Sequence, residues 1–539
     1  MEGSETEEQV KNCSAFLRHF EFDTDKWEKY LEWPPDVFAI TSIFLEDTGY
    51  YRLIISPPKG KKWDKSGSWN KKVKETLSDP WRECFKDKKN RENPVWKKWP
   101  EAKRELLKHW QAVRELFTLP ESELRGERLA QHWDKFVALF TIHAAADACC
   151  VGFGVLEDED RRVRRDDRIM LGEQQSLSRF PAELLRVLPK IRTPQSGITI
   201  RSLSQHLHVD RSELTPSWNI IEDFTWFDRE LPVKEQLNLL LVPWPLKVSP
   251  NDFRITKCNL GNLDAQRFGT FKFEPTESFD KKQLSAIIKK AQMHAEVHAV
   301  VLPELAVTED GFNALKETAK QADVPVVIAG MRNKKVNCVR LAETGRDGKT
   351  FEQCKHHRWR MDEAQIKQYD LGFALDPRKY WWEDIEIKHR TLQFVVANEW
   401  LTICPLICED LARTDPVARV IRGVGPSLVI ALLQDGPQLK HRWSARYATV
   451  LAEDPGSSVL TLTSLGMALR SRPDGKAPSR TIGLWKDRHG AQELPLDEDA
   501  EALLVNLTNY WQEEWSADGR YDKRTAAEIM LTGQEQIKI

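Results

Sequence analysis

The sequence predicts an α+β protein in two parts: a mainly α-helical, tryptophan-rich part over 1–235 and a part over 236–539 in which strands alternate with helices. Two observations predict this. Of the 20 tryptophans, 11 precede residue 230, among helical patterns such as "EAKRELLKHWQAVRELF". After "WFDRELPVKEQ", short β-branched apolar runs alternate with amphipathic segments, which is the texture of sheets covered by helices.

The 539 residues suit two large domains, and a formal net charge of −2 excludes a global attraction to nucleic acid or acidic lipid. Nine cysteines form no disulfide-like frame, and the opening "MEGSETEEQV" is acidic, unlike a signal peptide, so a reducing cytoplasm is expected. The run from Phe136 to Val155 approaches membrane-spanning length. Asp147 near its centre would cost about 2.5–3.5 kcal/mol in a bilayer. A buried central helix is expected instead, with no membrane contact. His143 and Asp147, four residues apart, share one face as a buried polar pair.

The second part reads in units. "LNLLLVPWP" is a buried strand, and Leu284, Ile287, Ile288 and Ala291 give the next segment a helical apolar face. "AVVLPE" is a strand running into Glu304, "FNALKETAKQA" a second helix, and "VPVVIAG" a third strand. "NCVRLAE" and "KTFEQCK" flank Asp347-Gly348, a hairpin whose second arm delivers Lys355. "LTICPLIC" is a strand delivering Cys408. Asp415-Pro416 reads as a helix start, followed by an apolar face of Val417, Val420, Ile421 and Val424. "SLVIALL", "SVLTLTS" and "ALLVNL" are further strands.

Strand ends thus present Glu304, Lys355 and Cys408. A thiolate can attack an acyl carbon, a carboxylate can carry the thiol proton to a leaving amine, and an ammonium can hold an oxyanion. Cys404 reads as core, and Cys354 beside His356 and His357 lacks a second ligand pair, so no metal is expected.

From about residue 236 to 510 the chain resembles the nitrilase, or carbon–nitrogen hydrolase, superfamily. "LPELA" matches the tripeptide that carries the family's general-base glutamate, "KHHRW" the segment with its lysine, and "LICEDL" the elbow with its cysteine. The order Glu304, Lys355, Cys408, at spacings of 51 and 53 residues, fits the family. So do the helix with Trp443, Arg446 and Glu453 and the later Gly466. The resemblance implies an α-β-β-α sandwich, a homo-oligomer, and cleavage of an amide, carbamoyl group or nitrile through a thioester on Cys408 without a cofactor. It also implies that Glu363, about two helical turns after the lysine, positions substrate. Glu409 stands where simple amidases often have an aromatic residue. With the basic cluster His356, His357 and Arg358 it suggests a polar or charged substrate, and Trp381, Trp382 and Trp443 are expected as pocket residues.

A second reading makes the chain a binding or scaffold protein. Residues 59–104 hold 16 Lys and Arg against 7 Asp and Glu, interleaved with tryptophans, so Lys61, Lys62, Lys71 and Lys72 could contact nucleic acid. The segment Gly197 to Leu214 has a loose helix-turn-helix rhythm. Nitrilase-like domains in bacterial antiviral systems offer an analogy for such an accessory role, with a protein or nucleic-acid partner on the N-terminal half.

Overall fold

In the computed structural model the chain divides into two compact units, Met1–Arg211 with Glu513–Arg524, and Ser212–Gln512 with Thr525–Ile539. The structure describes residues 24–63, 67–84, 99–151, 176–179, 185–193, 197–221 and 235–539, the last apart from 258–260, 262, 278, 334, 346–347, 388–389, 473–476, 522 and 524.

The first unit is mainly helical, as its sequence predicts. Its chief helices are α1 (Pro34–Thr48), α2 (Pro100–Thr118) and α3 (Trp133–Cys149), with α1 and α2 both packed on α3. Prolines at the first helical positions of α1 and α2 start them without losing a hydrogen bond, and Gly49 in a left-handed conformation ends α1. Trp27, Trp33, Trp81, Trp110 and Trp133 are buried in its core. Trp27 and Trp110 stack with ring centres 4.2 Å apart, and each indole N–H donates to the other's backbone carbonyl, at 3.0 and 2.7 Å.

Helix α3 is buried, as expected, although His143 and Asp147 do not serve each other. Asp147 accepts the backbone N–H groups of Gln205, His206 and Leu207 at 2.7, 2.9 and 3.0 Å and pairs with Arg520 at 3.2 Å. His143 Nδ1 bonds Thr41 Oγ1 at 2.9 Å. The loop fixed by Asp147 also overturns the helix-turn-helix expectation. Residues Ile200–Leu203 form one 3₁₀ turn, and β2 (Leu207–Asp210) pairs antiparallel with β1 (Arg186–Pro189), so no recognition helix exists there. Among the described residues no helix is long and apolar enough to cross a membrane.

The second unit is a helix–sheet–sheet–helix sandwich. Its strands are β3 (Thr215–Ile220), β4 (Gln236–Leu241), β5 (Phe253–Thr256), β6 (Phe268–Phe273), β7 (Ala299–Val307), β8 (Val326–Asn333), β9 (Val336–Glu343), β10 (Thr350–Cys354), β11 (Arg360–Met361), β12 (Tyr380–Glu383), β13 (Thr391–Val396), β14 (Thr402–Ile407), β15 (Leu428–Leu433), β16 (Ser458–Thr463), β17 (Thr481–Asp487), β18 (Gly490–Pro495), β19 (Ala502–Glu513) and β20 (Thr525–Ile537). One seven-stranded sheet has the order β10-β9-β8-β7-β4-β19-β20, and the other β18-β17-β16-β15-β14-β13-β3. They face each other where β7 meets β15 and β16 and β9 meets β14.

Helices α4 (Lys281–Gln292) and α5 (Glu309–Gln321) cover the first sheet with Leu284, Ile287, Ile288, Phe312 and Leu315, all buried. Helix α6 (Glu363–Gln368) lies in the long connection to β12. A short α7 (Glu409–Ala412) follows β14, and α8 (Arg419–Val424) follows it, preceded by a helical turn that begins at Thr414 with Arg413 as its N-cap. Asp415 therefore sits inside that turn instead of capping it. Val417, Val420, Ile421 and Val424 form the buried face as expected. Helix α9 (Trp443–Glu453) covers β16 and β17. A small sheet, β11-β12-β6-β5, sits beside the sandwich over a core of Phe271, Trp359, Tyr369 and Trp381. Strands β9 and β10 pair as the expected hairpin, while Asp347 and residues 226–234 of the expected boundary lie outside the described residues.

Candidate active site

Glu304 sits where β7 departs from regular pairing. The β7–β8 register shifts between Leu302 and Val307, and Leu305 adopts φ +55°. This irregular backbone presses on Gly330 of β8, where an added Cβ would lie 2.3 Å from the Pro303 carbonyl and 2.4 Å from Glu304 Cα. Only glycine allows that approach. Lys355 follows the last residue of β10, and its N–H donates to Asn337 O on β9 at 2.9 Å. Cys408 follows β14 and is the N-cap of α7, with φ +43° and ψ −109°. That left-handed conformation is costly for a residue with a Cβ and turns the chain sharply from strand to helix.

The structure brings Glu304 and Lys355 into direct contact. Lys355 Nζ donates to Glu304 Oε1 at 2.8 Å and to Glu383 Oε2 at 2.7 Å, with all three side chains buried. Asn337 Nδ2 donates to the same two carboxylates, to Glu304 Oε1 at 2.6 Å and Glu383 Oε1 at 2.7 Å. Glu304 Oε2 is buried and has no hydrogen-bond partner among the described residues.

Asp410, two residues after Cys408, accepts the backbone N–H of His356 at 3.0 Å and meets His357 Nδ1 at 2.9 Å. The residue next to the lysine is thereby tied to the elbow that carries the thiol.

Electrostatics divide these groups. Burial pushes the Cys408 thiol well above its ordinary value, and the negative charge of Glu304 adds to this while Lys355 opposes it. Burial also raises the Glu304 carboxyl, against the lowering effect of Lys355. Burial alone would pull Lys355 down, but Glu304 and Glu383 outweigh it and hold the ammonium well above its usual range. The cluster therefore holds a thiol, a carboxyl group with raised proton affinity, and a fixed cation.

Glu383, which the sequence does not single out, is the second carboxylate on Lys355, and Glu363, expected to position substrate, is not in that cluster. Glu363 is the first residue of α6 behind the N-cap Asp362, its side chain 62% exposed and paired with Lys367 at 2.6 Å. The cap geometry turns it to solvent, away from the buried lysine. Glu383 reaches Lys355 because β12 pairs in parallel with β6, a long-range contact without a local sequence signal. The one available sign is that Glu383, like Lys355 and Cys408, sits at the end of a strand.

The expected pocket residues separate. Trp381 is core, with its ring over Gly269 and its N–H on Asp376 O at 2.8 Å. Trp443 donates to Asp435 Oδ2 at 2.9 Å, and Asp435 also contacts Arg442 and Tyr369. Trp382 and Glu409 line a cleft of about 510 Å³ together with Arg358, Arg360, Asp362 and Arg413. In the first unit, Lys71 pairs with Glu75 at 3.8 Å and Lys72 with Glu105 at 3.2 Å. The neighbouring Trp63 and Trp69 pack on each other, and Trp63 also packs on Trp133. Lys61 is half-buried and Lys62 exposed. Among the described residues, no group of three or more His, Cys, Asp or Glu could hold a metal ion.

No family model matches the chain, and no curated protein matches it in sequence. Among solved structures, the chain is similar to nitrilase and CN-hydrolase superfamily members. Nit3 of Saccharomyces cerevisiae, a member of branch 10 of the nitrilase superfamily, aligns at 12% identity and a TM-score of 0.29, over 48% of this chain and 90% of that one. The NitFhit protein of C. elegans aligns at 11% and 0.32, over 51% and 61%. XC1258 from Xanthomonas campestris, a CN-hydrolase superfamily protein, aligns at 12% and 0.25, over 55% and 90%. At these identities and scores the likeness says nothing about chemistry, which rests on the geometry of the cluster.

Proposed function

We propose that the second unit is a thiol-dependent hydrolase of non-peptide carbon–nitrogen bonds. The observation that carries this is the buried Glu304–Lys355–Glu383 ion cluster beside a cysteine held in a strained strand-to-helix elbow. Burying a lysine with two carboxylates costs desolvation energy that a purely structural role seldom recovers, and perturbed groups of this kind concentrate at reaction centres.

The three proton affinities assign the roles. Cys408 rests as a thiol and needs a base. Glu304, with raised proton affinity and its unpartnered Oε2, takes the proton as Sγ attacks the carbonyl carbon. Lys355 stays charged throughout and stabilises the oxyanion of the tetrahedral intermediate. Glu383 holds Lys355 and keeps it protonated. When the intermediate collapses, the C–N bond breaks, Glu304 gives its proton to the departing amine, and the acyl group remains on Cys408 as a thioester. Water, deprotonated by Glu304, then attacks the thioester and releases the carboxylic acid and the thiol.

Limited alkylation with iodoacetamide, mapped over the nine cysteines, tests the assignment. Labelling of Cys408 ahead of the other buried cysteines, slowed at least tenfold in Glu304→Gln, is expected. Equal rates at Cys408 and the core Cys404 would count against it.

A further inference from the structure

The cleft lined by Glu409, the residue after Cys408, is rich in hydrogen-bond donors. Three arginines line it, and its two acids are already engaged. Asp362 caps α6 by accepting Gln365 N–H at 2.9 Å, and Glu409 pairs with Arg413 at 2.8 Å. Two guanidinium groups remain. Arg358 donates to the Glu383 carbonyl at 3.1 Å, which leaves most of its five donors unused. Arg360 lies over the rings of Tyr380 and Trp382, 5.1 and 5.8 Å from their centres. Neither has a carboxylate partner among the described residues. The Trp382 indole nitrogen, on the same cleft, is a buried donor with no partner among the described residues.

Unused donors on three side chains around one cleft call for an acceptor that is not water alone. An arginine held over aromatic rings is pre-oriented, so less freedom is lost when it grips an anion. The cleft volume of about 510 Å³ lies in the range of small-molecule sites. Its position is set by covalent neighbours: Glu409 follows Cys408 and Trp382 precedes Glu383.

We propose that this cleft binds an anionic group of the substrate, with Arg358, Arg360 and the Trp382 N–H as the specificity determinants, so that the enzyme cleaves amides carrying a carboxylate or phosphate. This rests on the hydrolase reading of Cys408. The amide to be cleaved reaches the thiol while its acidic end stays among the arginines. The Arg413–Glu409 pair lines the same cleft. A neutral amide of the same length leaves both guanidinium groups unpaired and binds more weakly.

The test uses binding to full-length Cys408→Ser, so that it does not depend on turnover. Calorimetric titrations would compare ω-amides of three- to six-carbon diacids with their uncharged alkanamide counterparts, and inorganic phosphate with both. The expected result is binding of an acidic probe at least tenfold tighter than its neutral counterpart, an advantage lost in Arg360→Gln and largely kept in Arg360→Lys. Arg360 is exposed, so the exchange leaves the fold intact. Arg358→Gln should weaken the same probe. Phosphate binding tighter than every carboxylate would assign the site to phosphorylated amides. No preference for any acidic probe, or a preference unchanged in both arginine variants, would overturn the proposal. Failure of the hydrolase reading looks different: the acidic probe still binds in an Arg360-dependent way, and wild type releases no amine from it.

Discussion

Asn337 and Lys355 face each other across β9 and the end of β10, and both donate to the same two carboxylates, Glu304 and Glu383. The backbone pairing that sets this register therefore also sets the spacing of the charged cluster. Asn337 is a positioning residue, since its bond to Glu304 favours the carboxylate form. Asn337→Ala removes that bond, so the Glu304 proton affinity rises further. The acidic limb of the pH–rate profile should move to higher pH, kcat should fall, and KM should change little. Loss of two buried hydrogen bonds should cost about 1–3 kcal/mol in denaturant melts.

Gly330→Ala puts a methyl against Pro303 O and Glu304 Cα with no room to move. The strand β7 must shift, and the cost expected for an overpacked core is about 1–3 kcal/mol. Activity should fall by more than the stability loss explains, because Glu304 leaves its place. Gly533→Ala is a control, since an added Cβ there meets nothing closer than 3.5 Å.

Lys355→Ala leaves two buried carboxylates facing each other. Removing one partner of a buried ion pair costs about 3–5 kcal/mol. Without the ammonium, the proton affinity of Glu304 rises above its already raised value, and a raised carboxyl favours the folded state at low pH and loses that contribution as pH rises. The destabilisation relative to wild type should therefore be larger at pH 8 than at pH 5, as chemical denaturation at the two values would show.

In the first unit, burial lifts the Asp36 carboxyl from 3.8 to about 7, against the lowering effect of the Arg179 N–H that it accepts at 2.8 Å. The folded state thus binds this proton more tightly than the unfolded chain. The stability it provides is complete below pH 4 and is lost as pH rises to about 7, by up to about 4 kcal/mol at 1.4 kcal/mol per unit. Asp36→Asn should flatten the stability–pH curve of the first unit over that window. An unchanged curve would contradict the assignment.

The elements of the second unit are legible in the sequence because their faces are local. The apolar spacing of Leu284, Ile287, Ile288 and Ala291 gives α4, and the runs before Lys355 and Cys408 give two strand ends, while the strand read as running into Glu304 continues past it to Val307. Glu383 and Asn337 escape such reading. "YWWE" looks like an aromatic wall, and only its parallel pairing with β6 turns Glu383 onto the lysine. Glu363 is read from its spacing after the lysine, which does not show that its side of α6 faces water. In the first unit, the pairing of "RVLP" with "LHVD" depends on the loop that Asp147 holds, so a strand appears where the rhythm of residues suggests a helix.

The central claim is that Cys408 forms the acyl intermediate. Intact-protein mass spectrometry on rapid acid quenching, with a panel of amides and peptide mapping of any adduct, tests it most directly. An acyl adduct on Cys408 is expected to accumulate in Glu304→Gln when an activated ester serves as acyl donor, and to be absent in Cys408→Ala, with amine release abolished there. Amine release at equal rates from wild type and Cys408→Ala would contradict it.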